Sequence, residues 1–338
     1  MPRAVILHSA VAADAAADEQ DTLVQCDTVA EALNALGYEV ISLPFIQDPA
    51  DVTAHLKRLS PGLVFNLVES IGGSGRSIHV APALLEALGL RYTGCSSHAQ
   101  RLTSHKLLAK RLMREVGIPT PDWIDSLSLV GKLALPRGAM IIKSVWEHAS
   151  LGLDAESVVP TAEQATARLA ERVRQCGGPW FAERFIDGRE FNIALLAGQA
   201  GPEVLPIAEM LFVDFPPHLP RIVDYAAKWD PESFAYQHTE RCFPDPQAEP
   251  DLLARLTGLA LSCWNAFGLN GYARVDVRVD RGGHAWVLEV NANPCLAPDG
   301  GFLAAAAQRG LSSTAVIARI LDDCPPVDGD RAVLTGSQ

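Results

Sequence analysis

Apolar residues recur along this chain at two spacings, and the alternation between them marks out its elements. Residues 4–9 are a short apolar run, and 21–36 repeat at helical spacing up to Gly37. YEVISLPF predicts a second strand, 51–59 a short helix, GLVFNLVE a third strand, and 78–88 a helix stopped at Gly89. Strands alternating with helices predict a parallel sheet with helical crossovers. LTSHKLLAKRLMREVG then reads as a helix capped by Thr103 or Ser104 and closed by Gly117. MII is the core of a strand that ends on Lys143, 161–175 a charged helix, and WFAERFIDGREFNIALLAG a strand–turn–strand. Further helices are expected over 249–267 and 312–323. Between them, 211–244 is proline-rich with little period, which predicts a lid or a disordered connection.

The most informative stretch runs from Gly271 to Pro294 and reads as a β-hairpin. Val275, Val277 and Val279 point one way, and Arg274, Asp276, Arg278 and Asp280 the other. On the second arm Trp286, Leu288 and Val290 alternate with Val287, Glu289 and Asn291. A two-residue turn at Gly282-Gly283 pairs Arg281 with His284, and so sets Asp276 opposite Glu289 and Arg274 opposite Asn291. Carboxylates directly opposite on a sheet repel, so a cation between them is expected. An all-oxygen set of Asp276, Glu289 and Asn291 suits a hard cation, Mg²⁺ before Zn²⁺. The same alternation also fits a polar face wetted by solvent.

Composition narrows the classes. The 338 residues, 48% hydrophobic and 20% charged, match a soluble globular protein of two or three domains. A net charge of −12 argues against nucleic acid and anionic membranes as partners. Seven scattered cysteines without a CxxC pair fit reduced thiols in a cytoplasm. The opening MPRAVILHSAVAADAAA reads as a first strand, not a signal peptide, and no apolar run reaches bilayer length. Only six of the 28 basic residues are lysine, so fewer of them are incidental surface charge, and lysine is the compact point charge that suits phosphate.

Several local features carry chemistry beside a plainer alternative. Lys106 sits in the first turn of its helix, where the dipole disfavours a cation, and either meets an anion or is simply solvated. Lys143 falls on the buried side of its strand and needs a partner. The small-residue loop ASLGL could lay backbone amides over phosphates. IGGSGR follows the third strand, where open sheets hold ligands, or is merely a turn. Glu183 and Glu190 flank an apolar segment suited to an adenine pocket. Lys228-Trp229 lies mid-way along the proline-rich segment. Cys295 could be a nucleophile, or a packed small thiol, since no His base is arranged beside it. No GxGxxG follows the first strand, which removes a dehydrogenase.

Taken together, VFNLVES, PALLEALGLRYTG, HKLLAKRLMREVGIPTP, IIKSVWEHASLGL, AERFIDGREFNIALL, YAAKW and ARVDVRV…WVLEVNANP resemble the ATP-grasp superfamily, within it the D-alanine–D-alanine ligase-like group. They run collinearly from about residue 60 to about residue 322. The resemblance implies an α/β chain, α+β in its ATP-binding part, of three lobes. These are an N-terminal Rossmann-like pre-ATP-grasp domain over 1–100, a central lobe over 101–180, and a C-terminal lobe over 181–325 with a mobile loop at 211–240 and a tail at 326–338. It implies ATP phosphates on Lys106, Lys143 and Lys228, with Ser150 and Gly152 in a closing loop. Adenine would lie against Glu183, Arg184, Phe185 and Ile186, and the ribose on Glu190. Asp276, Glu289 and Asn291 would hold two Mg²⁺ ions, for which Mn²⁺ can substitute. Arg274, Lys228 and Ser150 are the implied catalytic residues. The implied substrate contacts are Glu69, Arg274, Cys295, Gly300 and Gly301.

The implied reaction is ATP-dependent joining of a carboxylate to an amine through an acyl phosphate, on small-molecule amino acids or carboxylates. A homodimer is a compatible assembly. Departures from the family's pattern fall on the substrate side. Cys295 stands where the family has glycine, Gly300 or Gly301 where it has a carboxylate-binding serine, and His105 where it has aspartate. No glutamate–serine pair aligns within SAVAADAAADEQD. The expected substrates are therefore not two D-alanines. The alternatives are a D-alanine–D-alanine ligase with divergent contacts, and a nucleotide-binding regulatory protein without turnover.

Overall fold

The computed structural model describes residues 1–125, 136–147 and 149–324. The stretch 326–338, read as a tail, lies outside the described residues. Three sheets follow in chain order. The first is parallel, β2 (Glu39–Phe45), β1 (Arg3–Ser9), β3 (Leu63–Leu67), as strands alternating with helices predict. Ala4 and Ile6 of β1 pack with Val29 and Leu33 of α1 (Ala17–Ala35), while Val5 and Leu7 meet Leu56 of α2 (Pro49–Leu59) and Leu85 of α3 (Val80–Ala87). A strand covered on both faces must be continuously apolar, which is why AVIL shows no alternation.

The second sheet is antiparallel: β4 (Trp123–Ile124), β7 (Trp180–Arg184), β5 (Met140–Ser144), β6 (Val158–Val159). Two helices precede it, α4 (Ser97–Ser104) and α5 (Lys106–Glu115), and α6 (Ala162–Cys176) covers one face through Ala165 and Leu169. The third has six strands: β11 (Thr239–Cys242), β10 (Ala208–Phe212), β8 (Gly188–Leu196), β12 (Tyr272–Asp280) and β13 (Ala285–Asn291), with β9 (Glu203–Val204) beside β8. Phe191, Ile193, Val275, Val277 and Val290 on one face bury Leu256, Trp264 and Phe267 of α9 (Pro250–Phe267). The opposite face of the same strands is polar, and it forms the floor of the site. Further on, α10 (Gly301–Gln308) and α11 (Ser313–Asp322) pack back against α1.

Four local expectations change. The hairpin turn spans three residues, Arg281 to Gly283, with Asp280 N donating to His284 O and Gly283 left-handed at φ +81°. A bulge at Leu288 undoes that one-residue shift, so Asp276 still faces Glu289 and Arg274 faces Asn291. Beyond it Val287, not Leu288, enters the core with Val277. The helix cap is His105 instead of Thr103 or Ser104, because the chain breaks there between α4 and α5. His105 Nδ1 accepts from Leu108 N at 3.3 Å, which an aspartate would otherwise do. The proline-rich segment is not structureless: it carries α7 (Tyr225–Trp229), α8 (Phe234–Gln237) and β11, the short helices capped by Asp224 and Ser233. Finally, IGGSGR does not line the cavity; Ser74 Oγ donates to Glu147 at 3.1 Å, which ties this loop to the segment after β5.

Candidate functional site

A cavity of about 570 Å³ lies between the three sheets. Its floor follows from period-two alternation: Glu190 and Asn192 of β8, Met210 of β10, Arg241 of β11, Arg274 and Asp276 of β12, and Glu289 and Asn291 of β13 all turn to it. Asp276 accepts two bonds from Arg274, at 2.8 and 2.9 Å, and one from Asn192 Nδ2 at 2.9 Å. Lys106 Nζ approaches Glu289 at 3.7 Å and donates to Glu147 O at 2.6 Å. Each of the opposed carboxylates thus has a cationic side chain beside it, Arg274 at Asp276 and Lys106 at Glu289.

Lys143 has its partner in Glu183, Nζ to Oε1 at 2.6 Å. Lys110 takes the other oxygen at 2.6 Å and also donates to Thr120 Oγ1. Burial would push the Glu183 carboxyl up, but the two ammonium groups outweigh it and hold it below the usual range. Glu183, Arg184, Phe185 and Ile186 line a narrow slot of about 60 Å³ that shares Lys143, Glu190 and Leu288 with the main cavity. Arg278, buried beneath the slot, binds Glu190 Oε2 at 2.7 Å and Ile186 O at 2.8 Å, and reaches Arg221 O. Arg278 and Lys110 were not singled out in the sequence. Both left a signal there: Arg278 shares the face of Asp276, and Lys110 lies one helical turn after Lys106.

The roof is the segment carrying α7. Ser150 Oγ donates to Val223 O at 2.8 Å, Trp229 Nε1 to Ala149 O at 3.2 Å, and Tyr225 N to Leu153 O at 3.2 Å. Ala149 and Ser150 are both left-handed, at φ 54° and 63°, so the ASLGL loop is bent toward the roof at some cost in strain. Gly152 does not line the cavity; an added Cβ would meet the Trp180 ring at 2.6 Å, so only glycine lets the loop sit this close. Lys228 projects into the cavity, where burial and then Arg274 push its pKa down.

The far wall is acidic. Gln25 Nε2 donates to Asp21 at 3.0 Å and to Glu69 at 2.9 Å, and Tyr225 OH donates to Asp18 at 2.9 Å. Burial, above all, raises Glu69 to about 7. Cys295 Sγ donates to Asp21 at 3.0 Å, and burial, with Glu69 and Asp21, pushes its pKa well up, which removes it as a thiolate nucleophile. All seven cysteines are free. Gly300 and Gly301 complete this wall.

A family model described as the D-ala D-ala ligase C-terminus matches residues 112–322, over half the chain and all of the cavity's floor. The chain belongs to this family. An uncharacterized protein, y4sG, of Sinorhizobium fredii is 32% identical, the match covering 88% of this chain and 86% of that one. A D-alanine–D-alanine ligase of Moorella thermoacetica is 30% identical over 90% of this chain and 94% of its own length. The fold matches the crystal structure of the D-alanine–D-alanine ligase of Bacillus anthracis complexed with ATP, with a TM-score of 0.70, 20% identity, and coverage of 96% and 97%. The ATP-grasp, ligase-like reading of the sequence, an ATP-dependent enzyme class forming C–N bonds, stands with these matches. Among the described residues no helix is long and apolar enough to cross a membrane.

Proposed function

We propose that this chain joins a carboxylate to an amine at the expense of ATP, and that its substrates are not two D-alanines. The observation that carries the ligase reading is the convergence of Lys106, Lys143, Lys228, Arg274, Asp276, Glu289 and Asn291 on one cavity. Asp276, Glu289 and Asn291 offer oxygen donors only, which fits Mg²⁺. Two carboxylates and an amide are too few to cage it alone, as expected of a metal that arrives with phosphates. Mg²⁺-ATP, when bound, supplies the phosphoryl group that turns a carboxylate into an acyl phosphate, from which an amine displaces phosphate. Two ions, or Mn²⁺ in their place, suit the same donors.

The chain's own residues position and neutralise charge. Lys106 and Lys143 hold phosphate oxygens, and Glu183, fixed by Lys110, keeps Lys143 extended toward them. The slot at Glu183 to Ile186 takes the adenine, and Glu190, oriented by Arg278, the ribose. Lys228 brings positive charge to the transferred phosphoryl group from the roof, and Arg274 steadies the acyl phosphate. Ser150 and the roof exclude water that would hydrolyse it. Asp21 and Glu69 meet the ammonium of an amino-acid substrate.

The substrate claim rests on the far wall. Cys295 occupies the position after the proline and binds Asp21. A side chain at Gly300 would meet Ala297 O at 2.9 Å, so this backbone has no room for serine there. A second reading, a D-alanine–D-alanine ligase, is favoured by the names of relatives such as the Moorella thermoacetica enzyme. The two separate when the protein, ATP and Mg²⁺ are incubated with pairs drawn from D- and L-amino acids and small acids, and ADP and new amides are measured. ADP with a pair other than two D-alanines is expected. ADP with D-alanine alone would overturn the substrate claim, and no ADP with any pair the ligase reading.

A further inference from the structure

Arg278 reaches further than the glutamate it orients. It stands on β12 directly opposite Glu190 of β8 and is only 3% exposed. A guanidinium buried this deeply must direct its donors at protein acceptors. Nε and Nη2 donate to Glu190 Oε2 at 3.0 and 2.7 Å, and Nη1 to Ile186 O at 2.8 Å. Nη2 also donates to Arg221 O. Glu190 and Ile186 line the slot, whereas Arg221 belongs to the roof. The two residues after it, Ile222 and Val223, line the slot from the roof side, and Val223 O accepts the Ser150 hydroxyl at 2.8 Å. The guanidinium carbon also lies 5.8 Å from the centre of the Phe212 ring, at the end of β10. From there Phe212, Phe215 and Phe234 follow one another at 5.2 and 5.5 Å into α8. One buried side chain thus touches both the slot and the segment that closes the cavity.

We propose that Arg278 is a positioning residue that pins the roof to the nucleotide slot, and that it thereby sets where Lys228 stands while nucleotide is bound. Glu190 and Ile186 O hold the guanidinium from below, and Arg221 O is the acceptor that moves with the roof. A nucleotide in the slot packs against Ile222 and Val223 and covers Glu190, so it steadies both ends of this link. The inference rests on the ligase reading and extends it, since it names the side chain through which nucleotide binding keeps water from the cavity.

Hydrogen exchange of the full chain, followed by mass spectrometry with and without saturating ADP and Mg²⁺, tests this. Saturation is established for each variant by calorimetry. Opening the roof breaks a charge-assisted hydrogen bond, which corresponds to about 10- to 100-fold in the opening equilibrium. In the parent protein ADP should slow exchange across Tyr225–Trp229. In Arg278→Met with ADP bound, those amides should exchange about 10- to 100-fold faster than in the parent, with α9 unchanged. Arg278→Lys can reach Glu190 but not all three acceptors at once, so it should fall between, and it decides on the same readout if Arg278→Met does not fold. A merely structural role would speed exchange in α9 as well, and that result would overturn the proposal. So would exchange that ADP does not slow in the parent, or slowing undiminished in the variants. Loss of ADP binding in both variants would confine Arg278 to the slot and overturn it too. Amide formation is followed separately, so slowed exchange without turnover counts against the ligase reading while leaving Arg278 its role.

Discussion

Asp276 and Glu289 face each other across two strands, and each already borrows a cation from the chain, Arg274 and Lys106. Asp276→Asn or Glu289→Gln removes a charge that the metal–phosphate unit needs, so turnover should fall by about 100-fold or more. Steady-state ADP release checks this, and unchanged rates would remove the metal assignment. Glu69 makes a different prediction. Burial chiefly holds it at about 7, and an ammonium group binds its ionised form. The kcat/KM of that substrate should rise with pH through about 7 and level off above it, and Glu69→Gln should erase the rise. The hairpin carboxylates were legible because strand alternation and one turn define who faces whom. The place of Arg241 on the floor was not legible, because it comes from β11 pairing with β10, a partnership that no short spacing records.

Single elements deliver these side chains. The break between α4 and α5 puts Lys106 at a helix start, and His105 caps it. Burial keeps the His105 ring below its ordinary value, so it is neutral and can accept from Leu108 N. A depressed histidine contributes stability that is full above the unfolded value near 6.5 and is lost as pH falls through the lower folded value. His105→Ala should cost about 1 kcal/mol in urea unfolding near neutral pH. His105→Asp should keep the cap and unfold with less acid sensitivity than the parent; equal sensitivity would contradict this account of the cap. His8 and His79 are lowered by burial as well, so the comparison with His105→Asp isolates one ring. The helix itself is written in LLAKRLM, but its start is not. Thr103 and Ser104 are good caps that the tertiary break overrides, since Lys106 N is taken by Val145 O. In the hairpin, the turn and the bulge err by one residue in opposite senses, so the facing pairs survive.

Across the whole molecule, the roof joins what the sequence kept apart. Tyr225 reaches Asp18 of α1, Trp229 reaches Ala149, and Val223 holds Ser150. Trp229→Phe removes one of these bonds, worth on the order of 1 kcal/mol, and should let water compete several-fold better for the acyl phosphate. ADP formed per amide should then rise above one; tight coupling in the variant would assign the roof no part in excluding water. The parallel first sheet was readable because its strands alternate with helices, and the β12–β13 hairpin because its arms alternate; the strand orders of the second and third sheets were not, since they pair strands distant in sequence. The closure of 211–244 was not, since α7, α8 and β11 are short and gain their stability from neighbours. At this scale the central claim is that the carboxylate substrate, not water or AMP chemistry, receives the phosphoryl group. The direct measurement uses that carboxylate labelled with ¹⁸O, in a pair that supports turnover, and mass analysis of the released phosphate. One ¹⁸O atom in each phosphate, with ADP as the nucleotide product, is the result expected. Unlabelled phosphate, or AMP and pyrophosphate in place of ADP, would contradict it.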